Sequence, residues 1–355
     1  MAGRGMTLPL VGLLSAAGGA AWVAAAWAAG TLPGRIDRTS RIRASDRKLD
    51  ELSARKRTVD VDGVPIAYLD EGEGEPLVLL HGCPFSAYEW RATIPRLTSR
   101  FRVIAPDLLG LGDTQVTLAD DYRLPRDAEM VCGLLDVLGI DQAHVVGHDH
   151  GGATCLLLMG SAPERLRSVV LTNIEAYDSW PSAEERVYLR LIVNPFTSPI
   201  IWALLHCRYV RRRIFAIAAH RQEVLTDEIL AAFVEPHIAT PARWQRLRRF
   251  FAWQLDPGHR RATLDAVPGI QRFNHPTLIL WGRHDVNFGE TVAQQLLADI
   301  PGAHGVRWLE HSGHLPMLEE PAAYGEALFQ FTASTGAVPP APGLEPGGSR
   351  TAGMS

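Results

Sequence analysis

The chain has 355 residues, 46% hydrophobic and 21% charged, with 35 Lys and Arg against 39 Asp and Glu. That balance excludes a fibre and a wholly disordered polymer, and a formal net charge of -4 gives no reason to expect a nucleic-acid partner. The length suits two domains or one large α/β domain with insertions.

In chain order, the first feature is an uncharged stretch from Gly5 to Gly34, whose Leu8 to Ala29 portion is rich in Leu, Val, Ala and Gly and carries Trp22 and Trp27. It is long enough to span a bilayer, which takes about 20 predominantly apolar residues. Only Arg4 precedes it, whereas Arg35, Arg38, Arg41, Arg43, Arg47 and Lys48 follow. The positive-inside rule then puts the rest of the chain on the cytoplasmic side of a membrane it is anchored to. Two alternatives stand beside this expectation: an exported protein whose signal peptide ends near Ala26-Trp27-Ala28, and a soluble cytoplasmic protein with an Ala-rich extension. Residues 36–57 are charged and read as a linker, so residues 1–57 form one N-terminal unit.

Short apolar, β-branched runs then predict strands at Pro65 to Leu69, Leu77 to Leu80, Arg102 to Ala105, Ala143 to Val146, Ser168 to Thr172, Thr277 to Trp281 and Val306 to Leu309. Helical periodicity falls between them, with Asp127 to Leu138 showing Val131, Leu134, Leu135 and Leu138 on one face and Gly139 as its stop, and with Gly151 to Ser161 as a second case. Such alternation predicts an α/β fold with a mostly parallel sheet covered by helices, whose chemistry gathers at the carboxyl ends of the strands. The interval from Glu175 to Phe273 breaks the rhythm and predicts several helices separated by Pro195, Pro199, Pro236, Pro241 and Pro257. Its arginine runs (Arg208, Arg211, Arg212, Arg213; Arg243, Arg246, Arg248, Arg249) read first as solvated helix faces. Residues 58–175 and 272–333 are therefore the two parts of one core, 176–271 an inserted helical cap, and 334–355, dominated by Gly, Pro, Ala and Ser, a disordered tail. Four cysteines (Cys83, Cys132, Cys155, Cys207) without a C-x-x-C pair read as mostly reduced, buried thiols.

Chemistry-bearing residues lie at the strand ends. Gly147-His148-Asp149-His150-Gly151-Gly152 joins a strand to a helix, and its glycines permit the sharp turn that raises a central nucleophile, here Asp149, above the sheet. An Asp at a helix start is also ordinary capping. His81-Gly82-Cys83-Pro84 follows another strand, which lets the Cys83 N–H pair with that of His150 as an oxyanion hole. Trp281-Gly282-Arg283-His284-Asp285 offers a late carboxylate, and His311-Ser312-Gly313-His314 offers two imidazoles, of which His314 is preferred over His311. The order nucleophile, acid, histidine is then Asp149, Asp285, His314, with Glu175 as the alternative acid.

These stretches, with Tyr88-Glu89-Trp90-Arg91 and Ala105-Pro106-Asp107-Leu108-Leu109-Gly110-Leu111-Gly112-Asp113, resemble the α/β-hydrolase superfamily over roughly Thr58 to Phe331. Within it they are similar to the Asp-nucleophile group of haloalkane dehalogenases and epoxide hydrolases. The resemblance implies a small apolar electrophile and water as reaction partners and an ester on Asp149. Without a Trp after the nucleophile or an Asn in the H-G-x-P position, halide stabilisation falls to Trp180 or Trp202, while Tyr177, Tyr188 and Tyr209 would serve an epoxide. An ionised Asp needs no activating base, and an ester opened by His-activated water needs no metal or organic cofactor. A dehalogenase-like hydrolase is the first expectation and an epoxide hydrolase the second. A ligand-binding or membrane-associated protein of the same fold without turnover is the third.

Overall fold

The computed structural model describes residues 51–114 and 116–335. The hydrophobic N-terminal segment, most of the charged linker and nearly all of the C-terminal tail lie outside the described residues, and so does the membrane-anchor expectation. Among the described residues no single helix is long and apolar enough to cross a membrane.

Eight strands make one sheet: β1 (Arg57–Val61), β2 (Val64–Glu71), β3 (Glu75–Leu80), β4 (Phe101–Pro106), β5 (Ala143–Asp149), β6 (Leu166–Ile174), β7 (Thr277–Gly282) and β8 (Ala303–Leu309). Their spatial order is β1-β2-β4-β3-β5-β6-β7-β8. β2 pairs antiparallel with β1 and β4, and all later pairs are parallel. The central strands are near-continuous apolar runs because both faces are covered: Leu77, Val78, Leu79, Leu80, Val145, Val146, Val169 and Leu171 are all buried. β1 was not expected. Its Arg57-Thr58-Val59-Asp60-Val61 alternates charged with apolar residues, the pattern of an edge strand with one wet face.

The helices of the core are α1 (Leu124–Val137) and α2 (His150–Ser161), and, after β7, α9 (Glu290–Asp299) and α10 (Pro321–Thr335). Between β6 and β7 stand α3 (Ala183–Val193), α4 (Ser198–Leu204), α5 (Arg208–Phe215), α6 (Asp227–Ile238), α7 (Pro241–Gln254) and α8 (Pro257–Asp265). Pro199, Pro241 and Pro257 sit in first turns, where a missing N–H costs nothing. Pro236 does not separate helices; it lies within the last turn of α6. Aromatic contacts seat this segment on the loops after the strands. Phe85, just past β3, meets Phe233 of α6 at 4.5 Å and Phe215 of α5 at 6.5 Å, and Phe250 of α7 meets His150 edge-on at 5.1 Å.

Two further expectations need correction. Only Cys155 is buried, while Cys83, Cys132 and Cys207 are half-buried, although all four are unpaired. The arginine runs are not simply solvated: Arg211 is buried and bonds Leu205 O and Glu235, and Arg248 bonds Val193 O. Arg246 reaches the carbonyls of Gly112 and Thr114 across to the core, whereas Arg208 and Arg212 do stay in solvent beside Asp227.

Candidate active site

Asp149 ends β5 and caps α2 at φ 52° and ψ -118°, a backbone conformation rarely adopted by a residue with a side chain. The turn is this tight because its neighbours lack side chains. A Cβ on Gly147 would lie 2.5 Å from Gly151 O, and one on Gly151 would lie 2.3 Å from Leu80 O. β5, α2 and the end of β3 therefore pack backbone to backbone and hold the Asp149 carboxylate at the carboxyl edge of the sheet. Asp149 Oδ1 accepts hydrogen bonds from the N–H of Cys83 at 2.7 Å and of His150 at 2.6 Å. The two amides expected to form an oxyanion hole thus converge on one oxygen of the carboxylate itself.

The other oxygen, Oδ2, is 3.4 Å from His314 Nε2, and His314 Nδ1 is 3.1 Å from Asp285 Oδ2. Asp285 is held in turn by Asn173 Nδ2 at 2.7 Å and by the N–H of Asn287 at 2.8 Å. Asn173 also accepts from Gly282 N at 2.9 Å, which ties the ends of β6 and β7 together around the acid. Burial opposes the charge on Asp149, yet the hydrogen bond and charge of His314 and the Cys83 amide pull its pKa down to about 2. Burial likewise opposes a charged His314, but Asp285 and Asp149 overcome it and hold the imidazole well above its ordinary value.

A second buried network adjoins the first. His150 Nδ1 is 3.1 Å from Glu175 Oε1, and its Nε2 is 3.1 Å from Asp127 Oδ2. Despite burial, the two carboxylates hold His150 up at about 10, while His259 and His150 pull Glu175 down to about 2. Beneath His314, the buried His148 donates from Nε2 to the His314 carbonyl at 2.8 Å and sets its Nδ1 2.8 Å from Glu89 Oε1.

The remaining candidates fall away from these positions. Glu175 does not reach His314 as an alternative acid, because both imidazoles it faces are His150 and His259. His311 is exposed. Tyr177 donates to Asp299 Oδ2 at 2.8 Å on α9, and Tyr209 is 60% exposed, so neither is poised over Asp149. Tyr188 is half-buried on α3, where burial first and then the charges of Glu184 and Glu185 raise its pKa. Trp202 spends its indole N–H on Ile238 O at 2.8 Å, and Trp180 spends its own on Gln254 Oε1 at 3.0 Å. Trp90, within a stretch that resembles dehalogenases, is a core residue against Tyr324.

Several partners carried little signal in the sequence. Gln254 ends α7 fully buried, with its Nε2 lacking a hydrogen-bond partner and lying near enough to Cys83 to interact with its sulfur. Glu185, half-buried at the start of α3, is kept above the usual carboxylate range by burial and feels the charges of Asp149 and His314. Asn173 at a strand end and Asp127 at a helix start read as ordinary turn and capping residues, as does His259 in a polar helix. A cleft of about 580 Å³ lined in part by Trp180, Arg186 and Gln254 adjoins this side of the site.

Comparison with known proteins identifies the fold. A family model described as alpha/beta hydrolase fold matches residues 75–197. The chain is 28% identical over 272 residues to haloalkane dehalogenase 2 of Mycobacterium tuberculosis, covering 75% of this chain and 90% of that one. It is 27% identical over 284 residues to a soluble epoxide hydrolase of Corynebacterium sp., covering 77% and 95%. Among solved structures, a haloalkane dehalogenase of Bradyrhizobium elkani superposes with a TM-score of 0.67 at 23% identity, over 79% of this chain and 98% of that one.

Proposed function

We propose that this chain, which has the α/β-hydrolase fold and is a hydrolase, works through an Asp nucleophile on a small apolar electrophile, first of all an alkyl halide. One observation carries the reading: Asp149 has one oxygen held by two amides and the other turned to an imidazole that a second carboxylate orients.

In the proposed cycle, Asp149 Oδ2 attacks the carbon that bears the leaving group; the C–O bond forms as the carbon–halogen bond breaks, and halide departs with the bonding pair. Oδ1 becomes the carbonyl oxygen of the ester and stays on the amides of Cys83 and His150. His314 Nε2 then takes a proton from water, which attacks the ester carbon, and the two amides hold the oxyanion. On collapse the departing alkoxide takes the proton back from His314 and leaves as the alcohol, and the new carboxyl of Asp149 releases its proton to solvent to restore the carboxylate. Asp285, fixed by Asn173, aims the ring and steadies the imidazolium.

Helices α3 to α8 are assigned the role of a cap over this reaction. The leaving group is assigned to the Cys83 thiol and the Nε2 of Gln254, since the indole N–H groups of Trp180 and Trp202 already have acceptors. His150 is no leaving-group donor, for both of its ring nitrogens face carboxylates. The second reading is epoxide opening. The similarity to a soluble epoxide hydrolase favours it.

The test runs haloalkanes and epoxides side by side, reading halide release and diol formation. With any substrate the wild type turns over, His314→Gln should trap an alkyl adduct on the peptide containing Asp149, and Asp149→Ala should show neither adduct nor turnover. Turnover without an adduct in His314→Gln, or persisting in Asp149→Ala, would exclude the ester route.

A further inference from the structure

Beside the β5–α2 turn that carries Asp149, the nucleophile elbow, three buried donor atoms converge from separate elements: His150 Nδ1 from α2, Glu175 Oε1 just past β6 and His259 Nε2 from α8. Glu175 Oε1 is 3.1 Å from His150 Nδ1 and 3.2 Å from His259 Nε2, and all three atoms lie within 4.8 Å of one another. Donors around a tetrahedral Zn²⁺ at about 2.0–2.1 Å stand roughly 3.3 Å apart, so the spacing fits a shared ion with small adjustment.

Two features separate this cluster from an ordinary ion-pair network. His259 Nε2 is buried and faces Glu175 Oε1 at 3.2 Å, yet it makes no well-formed hydrogen bond there, and such an atom calls for a further partner. The ring of His150 is also steered from behind. Its Nε2 faces Asp127 Oδ2 at 3.1 Å, and the other oxygen of Asp127 accepts from Leu109 N at 3.0 Å. A carboxylate behind a histidine fixes the tautomer that leaves the opposite nitrogen free for a metal. The charges match as well, since Glu175 and Asp127 are two buried carboxylates.

We propose that His150, Glu175 and His259, with Asp127 behind His150, bind one divalent transition cation of the Zn²⁺ type next to the nucleophile elbow. Two imidazoles and one carboxylate select such an ion over Mg²⁺ or Ca²⁺, which prefer all-oxygen shells. The site shares His150 with the ester cycle only through its backbone amide, and that cycle needs no metal, so failure of the site would leave the proposed function standing.

The experiment titrates the full chain, stripped with chelator, with Co²⁺ as an optical probe and then displaces it with Zn²⁺. One Co²⁺ per chain with the visible bands of a tetrahedral ion is expected. His259→Ala and Glu175→Gln should abolish the bands, and Asp127→Asn should weaken binding by about 10- to 100-fold. Circular dichroism checks that each variant folds, and His259→Asn replaces any His259→Ala that does not. Absence of Co²⁺ bands and of Zn²⁺ uptake by equilibrium dialysis in the wild type overturns the proposal without any variant. Binding that is unchanged in a folded His259 variant overturns it equally.

Discussion

At the residue scale, the division of labour between the two oxygens of Asp149 decides what the proposed chemistry requires. With its pKa pulled down to about 2, the proposed nucleophile stays ionised throughout the neutral range. Ester formation measured in a single turnover should therefore be flat from about pH 5 to 8. Hydrolysis of the ester should behave differently. Once Asp149 is esterified it loses its negative charge, and His314 keeps only Asp285 to raise its pKa. Release of product should then increase with pH as His314 becomes neutral, which rapid-quench mass spectrometry would follow. A release step with no pH dependence would speak against His314 as the base. Asn173→Ala takes the 2.7 Å donor from Asp285 and should slow ester hydrolysis by about tenfold or more while sparing ester formation. Equal loss in both steps would instead mark Asn173 as a general structural support.

Among the elements, the elbow and the helices after β6 are joined by different forces. Helix α2 meets β5 at Gly147, against the Gly151 carbonyl and the Cys155 sulfur, and meets the end of β3 at Gly151, against the Leu80 carbonyl, which leaves no room for a methyl group. Gly151→Ala should lower stability by about 1–3 kcal/mol, read from the denaturant midpoint, through overpacking against Leu80. Helix α7 is instead attached to the core by aromatic packing of Phe250 on His150 and by the reach of Arg246 to Gly112 and Thr114. Arg246→Ala should leave the unfolding midpoint nearly unchanged relative to Gly151→Ala and raise hydrogen exchange selectively in α7. Protection that stays uniform would mean the arginine does not fasten this helix.

For the whole molecule, the N-terminal edge is locked to the core by one buried cation. Lys56 Nζ lies 2.5 Å from Asp107 Oδ2 and 2.8 Å from Asp113 Oδ2. Burial opposes both charges, but Lys56 lowers the pKa of Asp107, and Asp107 and Asp113 raise that of Lys56. The lowered carboxylate contributes stability above its unfolded value and loses it as pH falls through the folded one. The raised ammonium contributes below its unfolded value and loses it as pH rises through the folded one. Together they contribute fully between about pH 4 and 10. Lys56→Met should cost about 3–5 kcal/mol at neutral pH, since it leaves Asp107 buried without its cation. The deficit should shrink toward acid pH as Asp107 protonates. A deficit that does not change with pH would assign the loss to packing alone.

Local chemistry made much of this protein legible from its sequence. Apolar β-branched runs bounded by turn residues mark the central strands, and G-x-D-x-G after a strand marks the elbow, because period and glycine freedom are properties of short segments. Asp285 and His314 could be named because each ends a late strand or follows one closely. The partners of those groups depend on which strand ends become neighbours. Only the order β3-β5-β6-β7 brings Asn173 to Asp285 and turns Glu175 away from His314. Only the packing of α7 and α8 on one another and on neighbouring helices buries Gln254 beside Trp180 and His259 beside His150. Hydrogen bonds and ion pairs between residues about 100 positions apart leave no local pattern in the chain, so tertiary contact alone decides them.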